Sequence, residues 1–125
     1  MVTQINGLSG SAVGFTLTGE ITKEDYDNII FPAVQRITDL FSTLNLMLVI
    51  NTDLSNFTAG AWMKDAVLGI KNLTKFNRVA LVSDSQIVKN ATSFANMVVP
   101  GEYKNFLMTE ENEAKIWVSE NDGKI

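Results

Sequence analysis

The sequence predicts an α/β domain, with a mixed β-sheet that opens with an antiparallel hairpin, continues through parallel crossovers, and is packed by about four helices. Three observations lead there. Segments with strand patterning alternate with segments of helical patterning in the order β, β, α, β, α, β, α, β, α, and such alternation builds layered sheets. Leu46–Ile50 and Val79–Val82 are continuous aliphatic runs, the pattern of parallel strands covered on both faces. Finally, the chain has 125 residues, of which 46% are hydrophobic and 19% charged. A chain of this length buries roughly two-thirds of the surface it exposes when unfolded, so one core can hold it without disulfides or metal. No repeat, low-complexity tract or Pro/Ser-rich linker divides it, and residues 1–125 read as one domain.

The elements follow in order. Ala12–Thr18 alternates, with Val13, Phe15 and Leu17 on one side and Gly14, Thr16 and Thr18 on the other, as in a half-exposed strand. Met1–Ile5 is its hairpin partner, with Asn6, Gly7, Ser9 and Gly10 supplying the turn. A long helix starts at Thr22, an N-cap with Asp25 three residues on and Ile21 and Tyr26 placed as a hydrophobic staple. Its apolar stripe runs through Tyr26, Ile29, Ile30, Ala33, Val34, Ile37, Leu40, Phe41 and Leu44. Pro32 interrupts it, so a kink is expected near Asn28–Pro32, with Phe31 on the outer face.

A second helix is expected behind Thr58, with Phe57 and Trp62 as its staple and Ala59, Trp62, Met63, Ala66, Val67, Ile70 and Leu73 on its buried face. Leu68 falls outside that face. The third helix, around Gln86–Val98, is expected to bury Ile87, Val88, Ala91, Phe94, Ala95 and Val98, with Asp84 as its cap. Pro100-Gly101 then makes a type II turn. Tyr103–Met108 is the last strand, and Thr109 caps a closing helix that buries Ala114, Trp117 and Val118.

Side-chain chemistry narrows the function. The chain contains no His and no Cys. It therefore has no Ser-His-Asp triad, no Cys-His nucleophile, no imidazole or thiolate zinc site and no cysteine-held cluster. No catalytic residue, metal or cofactor is expected, and the reading is non-enzymatic. Lys+Arg number 10 against Asp+Glu 14, a net charge of −4, which argues against a nucleic-acid partner because that affinity rests on neutralising phosphates. The longest aliphatic run, Leu46–Ile50, is far short of the ~20 residues that span a bilayer, and no leader pattern opens the chain. A cytoplasmic protein without a transmembrane segment is expected.

Several residues combine into a resemblance. Gly19, Ile21, Thr22, Asp25 and Tyr26 with Pro32-Ala33, then Ala61-Trp62 with Asp65, Gly69 and Lys71, then Phe76, Arg78-Val79-Ala80, Val82 and Asp84, and at the end Pro100-Gly101-Glu102, Phe106, Glu113-Ala114 and Trp117, occur in one sequence order. In that order the chain resembles the SpoIIAA-like proteins, relatives of the STAS domain of anti-sigma-factor antagonists, over roughly Gly14–Val118. The resemblance implies a single STAS-like domain that is a binding or regulatory module in a bacterial protein. In STAS antagonists a Ser at the start of the second helix is phosphorylated. Here the segment Asp53-Leu54-Ser55-Asn56-Phe57-Thr58-Ala59-Gly60 keeps Asp-x-Ser but departs from the Asp-Ser-Ser-Gly signature, leaving Ser55 and Thr58 as poor substitutes.

The ligand-binding candidates are Asp53, Ser55, Phe57, Thr58, Gly60, Trp62 and Asp84. A loop after a strand's carboxyl end and before a helix N-terminus suits an anion, and Trp62, Phe57 and Trp117 suit an apolar pocket wall. The plainer alternatives are that Thr58 caps its own helix and that the aromatic residues are core. Asp53 and Asp84 could approach each other as a hard oxygen site for Mg²⁺, although Asp at such positions more simply makes turns and caps. Asp65 and Arg78 could pair as a structural tie. Phe31, Leu68 and Ile116 are the interface candidates. The first hypothesis is protein–protein interaction or self-association as a homodimer, and the second is a carrier or sensor of a small apolar or anionic ligand. A metal-dependent hydrolase or transferase using Asp53 and Asp84 is the third.

Overall fold

Gly7 and Gly10, with φ of 87° and 64°, turn the chain between β1 (Val2–Gln4) and β2 (Ala12–Thr18), which pair antiparallel with Val2 opposite Leu17. The molecule is described here from a computed structural model, in which residues 1–52, 76–98 and 100–120 are placed. β2 continues into parallel pairing with β3 (Leu44–Asn51), β3 with β4 (Phe76–Val82), and β4 with β5 (Glu102–Phe106). The strand order β1-β2-β3-β4-β5 makes one five-stranded sheet of the expected mixed kind.

Thr22 caps the first helical segment as expected. The Asp25 amide donates to Thr22 Oγ1 at 3.2 Å and the Thr22 amide donates to Asp25 Oδ2 at 3.1 Å, a reciprocal capping box. A short α1 (Lys23–Asp25) passes into a π-turn (Tyr26–Ile30) and then α2 (Phe31–Leu40). The π-turn gives the expected irregularity its mechanism. The Phe31 amide reaches back to the Tyr26 carbonyl, one residue further than in an α-helix, and Pro32 follows at the start of α2, where a missing N–H costs least.

The expected stripe of this helix runs too far. Phe41 is extended, Leu40 and Phe41 are exposed, and Leu44 belongs to β3, where it is buried. Thr38 takes the buried place instead, its hydroxyl donating to the Gln35 carbonyl at 3.1 Å. β2 is also more enclosed than its alternation suggests. It lies between two strands, and its Gly14 is buried beneath Leu8 and Ile5.

The two sheet faces carry separate cores. Val13, Phe15, Leu17 and Leu44 pack with Ile21 and Ala33 of the first helical arm. On the other face Met47, Val49, Ala80, Val82 and Phe106 pack with Ala114 and Val118 of α4 (Glu111–Ser119). A one-residue irregularity separates Leu44 opposite Phe76 from Asn45 opposite Arg78. The buried Asn45 spans it, its Oδ1 accepting from the Arg78 amide at 3.1 Å and its Nδ2 donating to the Val118 carbonyl at 2.7 Å. One amide thus joins a strand irregularity to the end of a helix.

Two expected caps are replaced. α3 (Gln86–Val98) is capped by Ser85, whose Oγ accepts from the Ile87 amide at 3.2 Å, while Asp84 instead accepts from the Met108 amide at 2.9 Å. A 3₁₀ turn (Met108–Glu110) precedes α4, so the N-cap position falls on Glu110 rather than Thr109; Glu110 makes no side-chain cap to α4, and its Oε1 instead accepts from the Leu107 amide at 2.7 Å. β5 accordingly ends at Phe106 rather than Met108. Three helical bodies are described among the placed residues, and the expected helix behind Thr58 lies outside them.

Candidate functional site

Of the expected site residues, Asp53, Ser55, Phe57, Thr58, Gly60, Trp62 and Leu68, like Asp65, lie outside the described residues. Asp84 is exposed and engaged with the Met108 amide. Phe31 is 38% exposed, with its ring centroid 6.0 Å from that of Tyr26. Ile116 is 64% exposed. These last two do not form one patch, since α2 and α4 pack on opposite faces of the sheet.

Among the described residues, the largest concentration of exposed apolar side chains on one element is on α3. Ile87 is 65% exposed, Phe94 63% and Met97 80%, with Ala91 exposed between them. Val88 and Thr92 are buried and Ala95 is half-buried. Burial of Ile87, Ala91 and Phe94 is therefore a wrong expectation, and its origin is instructive. At about 100° per residue, the stripes 87/91/94 and 88/92/95 sit side by side, and from Met97 to Val88 the apolar arc covers roughly 180° of the helix. Either stripe satisfies the helical spacing.

Hydrogen bonding selects the second. Thr92 can be buried because its hydroxyl donates to the Val88 carbonyl at 2.7 Å. Asn96 lies next to the buried stripe and reaches the outer edge of β5. Its Nδ2 donates to the Tyr103 carbonyl at 2.6 Å, and its Oδ1 accepts from the Tyr103 amide at 2.8 Å. Rolling α3 to bury Phe94 would carry Asn96 away from that edge and break both bonds. The outward stripe is thus fixed by the inward polar contacts. Its sequence signal was present in the width of the arc and in the charge of α3, which carries only Lys89.

At the other end of β4, Arg78 forms a clamp on α4. Its guanidinium donates to the Trp117 carbonyl and to Glu120 Oε1, each at 2.7 Å, with Glu102 at 3.9 Å. It stacks 5.0 Å from the centre of the Trp117 ring, while Lys104 lies 5.8 Å from the same ring and Phe106 5.7 Å, centroid to centroid. Trp117 is thereby part of the join between helix and sheet. Burial raises the Tyr103 hydroxyl above its ordinary value of 10.0, and burial together with the neighbouring Asp27 charge raises Tyr26.

These features define a class of protein, a mixed five-stranded α/β domain that presents an uncharged apolar helix face. The family model described as SpoIIAA-like matches residues 12–119, and the chain belongs to the SpoIIAA-like family. It is similar to an uncharacterized protein of the DUF3478 family with a SpoIIAA-like fold from Shewanella loihica PV-4, known as a crystal structure. The two share 25% identity with a TM-score of 0.63, covering 94% of this chain and 93% of that one. No curated protein matches the chain. No helix among the described residues is long and apolar enough to cross a membrane.

Proposed function

We infer that the protein is a non-catalytic binding module of the cytoplasm that works by non-covalent contact with protein, and that the outer face of α3 is its contact surface. The observation that carries this is the exposure of Ile87, Phe94 and Met97 on one side of a helix whose opposite side is already packed. Exposed apolar clusters of this kind mark interaction sites more often than isolated surface residues do. Two further facts support the reading. The sequence lacks His and Cys, and its net charge of −4 with a single Lys on α3 suits an apolar protein contact better than a nucleic acid.

Photo-cross-linking in living cells tests this. Phe94 and Met97 are each replaced by a benzophenone amino acid, with Glu113 on α4 as the control position. Discrete covalent products from positions 94 and 97, lost when Ile87→Asp is added, are expected, and none from position 113. No discrete product from either α3 position would sink the assignment.

A further inference from the structure

The geometry points to a second copy of this chain as the occupant of the α3 face, with the two α3 helices packed antiparallel across a twofold axis near Asn90 and Ala91. The inference rests on the reading of α3 as the contact surface and adds the identity of the partner. Three features argue for it.

The first is shape. Along the exposed stripe the order is large, small, large: Ile87, Ala91, Phe94. A twofold operation centred on the small residue sets Ile87 of one copy against Phe94 of the other, and the reverse. The two backbones meet at Ala91, where a methyl group permits the ~8 Å approach at the close end of helix packing. A contact made by one patch with itself must be self-complementary in this way.

The second is charge. A molecule with net charge −4 repels its own copy over most of its surface. α3 is an exception. Its only charged residue, Lys89, lies roughly 140° around the helix from the middle of the stripe at about 100° per residue. Two α3 faces can therefore meet without apposed like charges, while a partner recognised by charge would find nothing on this face to read.

The third is area. The exposed parts of Ile87, Ala91, Phe94 and Met97 amount to on the order of 450 Å² of largely apolar surface, the size of the largest patch on a typical monomer and about half of the ~800 Å² that each partner contributes to a standard interface. It can supply the apolar centre of such a contact, with Gln86 and Ser93 as a polar rim.

Sedimentation equilibrium between about 1 and about 100 µM, the range in which contacts of this modest size dissociate, tests the pairing. The expected result is a particle of twice 13.8 kDa at the upper concentrations. Phe94→Asp and Ile87→Asp should each raise the dissociation constant about 30-fold or more, the range of an interface hot spot, with the thermal midpoint unchanged at concentrations low enough for both proteins to be monomeric. Ile116→Asp, at an exposed position on α4, should leave the dimer intact. Because the sequence has no Cys, Ala91→Cys introduces a single thiol that should form an intermolecular disulfide under mild oxidation, whereas Ser93→Cys should not.

A particle that stays at 13.8 kDa throughout overturns the pairing. Cross-links from position 94 or 97 to a different protein would then preserve the contact surface, whereas no product from either position overturns both readings. A dimer indifferent to Phe94→Asp and Ile87→Asp, or one dissolved by Ile116→Asp, also overturns it. So does a monomer that floats with vesicles of phosphatidylcholine and phosphatidylglycerol, which would make lipid the occupant.

Discussion

Replacing Asn45 tests how the two sides of the sheet are joined. This side chain is 4% exposed and holds two backbone groups from distant parts of the chain, the Arg78 amide at the strand irregularity and the carbonyl of the fully buried Val118. Asn45→Ala removes this partner from both. Each stranded buried group costs about 1–3 kcal/mol, and since the Arg78 end is only partly buried, the pair should cost about 3–4 kcal/mol. That is a large share of the roughly 6–19 kcal/mol available to a domain of this length at about 0.05–0.15 kcal/mol per residue. With a urea slope near 2 kcal/mol/M, the midpoint of chemical unfolding should fall by about 1.5–2 M. Asn45→Leu fills the volume while removing the same partner from both backbone groups, and it should recover less than half of the loss. Hydrogen exchange at the Arg78 amide should accelerate in both variants. A loss under about 1 kcal/mol in Asn45→Ala would refute the reasoning, because neither group would then depend on this side chain.

The remaining predictions concern backbone conformation and pH. Gly101 has φ of 117°, and a Cβ there would lie 2.8 Å from the Phe76 carbonyl oxygen. Gly101→Ala should therefore cost about 2 kcal/mol or more in urea unfolding, and more than Gly10→Ala, where φ is also positive but the space is open. Equal losses would show that the Phe76 carbonyl yields. Tyr26 and Tyr103 have hydroxyls raised above 10.0 in the folded state. In the unfolded chain they ionise first as pH rises, so their contribution to stability is intact below pH 10 and declines above it. Absorbance titration should show both tyrosines ionising later in the folded protein than in urea, and coincident curves would contradict the burial assigned to them.

Much of the architecture was legible because it depends on local chemistry. Thr22 and Asp25 form a cap from residues three apart, and the aliphatic runs of β3 and β4 leave little choice but an enclosed parallel strand. The hairpin turn is signalled by Gly7 and Gly10. Expectations failed where a distant partner decides. Nothing near Asp84 or Thr109 in the sequence announces that Asp84 will hold the Met108 amide, or that Glu110 will occupy the position given to Thr109. Leu44 continues the helical spacing of α2 perfectly well, and it leaves the helix because Phe41 turns the chain toward β3. The contact surface shows the same limit more sharply. Helical periodicity identified α3 and its apolar character, yet two stripes met the period equally, and the choice between them was made by Asn96 and a strand that follows it. Apolar spacing locates a helix, whereas its rotation is set by hydrogen bonds made elsewhere.

The Asn96 contact also bears on how the chain reaches its folded state. Asn96 and Tyr103 are seven residues apart, so closing them into contact costs little chain entropy compared with the 24-residue separation between Asp84 and Met108. During synthesis α3 is made before β5. When the last strand emerges, the amide that occupies its outer edge has already been made, and that edge need not await a slower long-range pairing. An edge strand whose Tyr103 amide and carbonyl are already taken offers fewer open groups for the same strand of a neighbour to pair with.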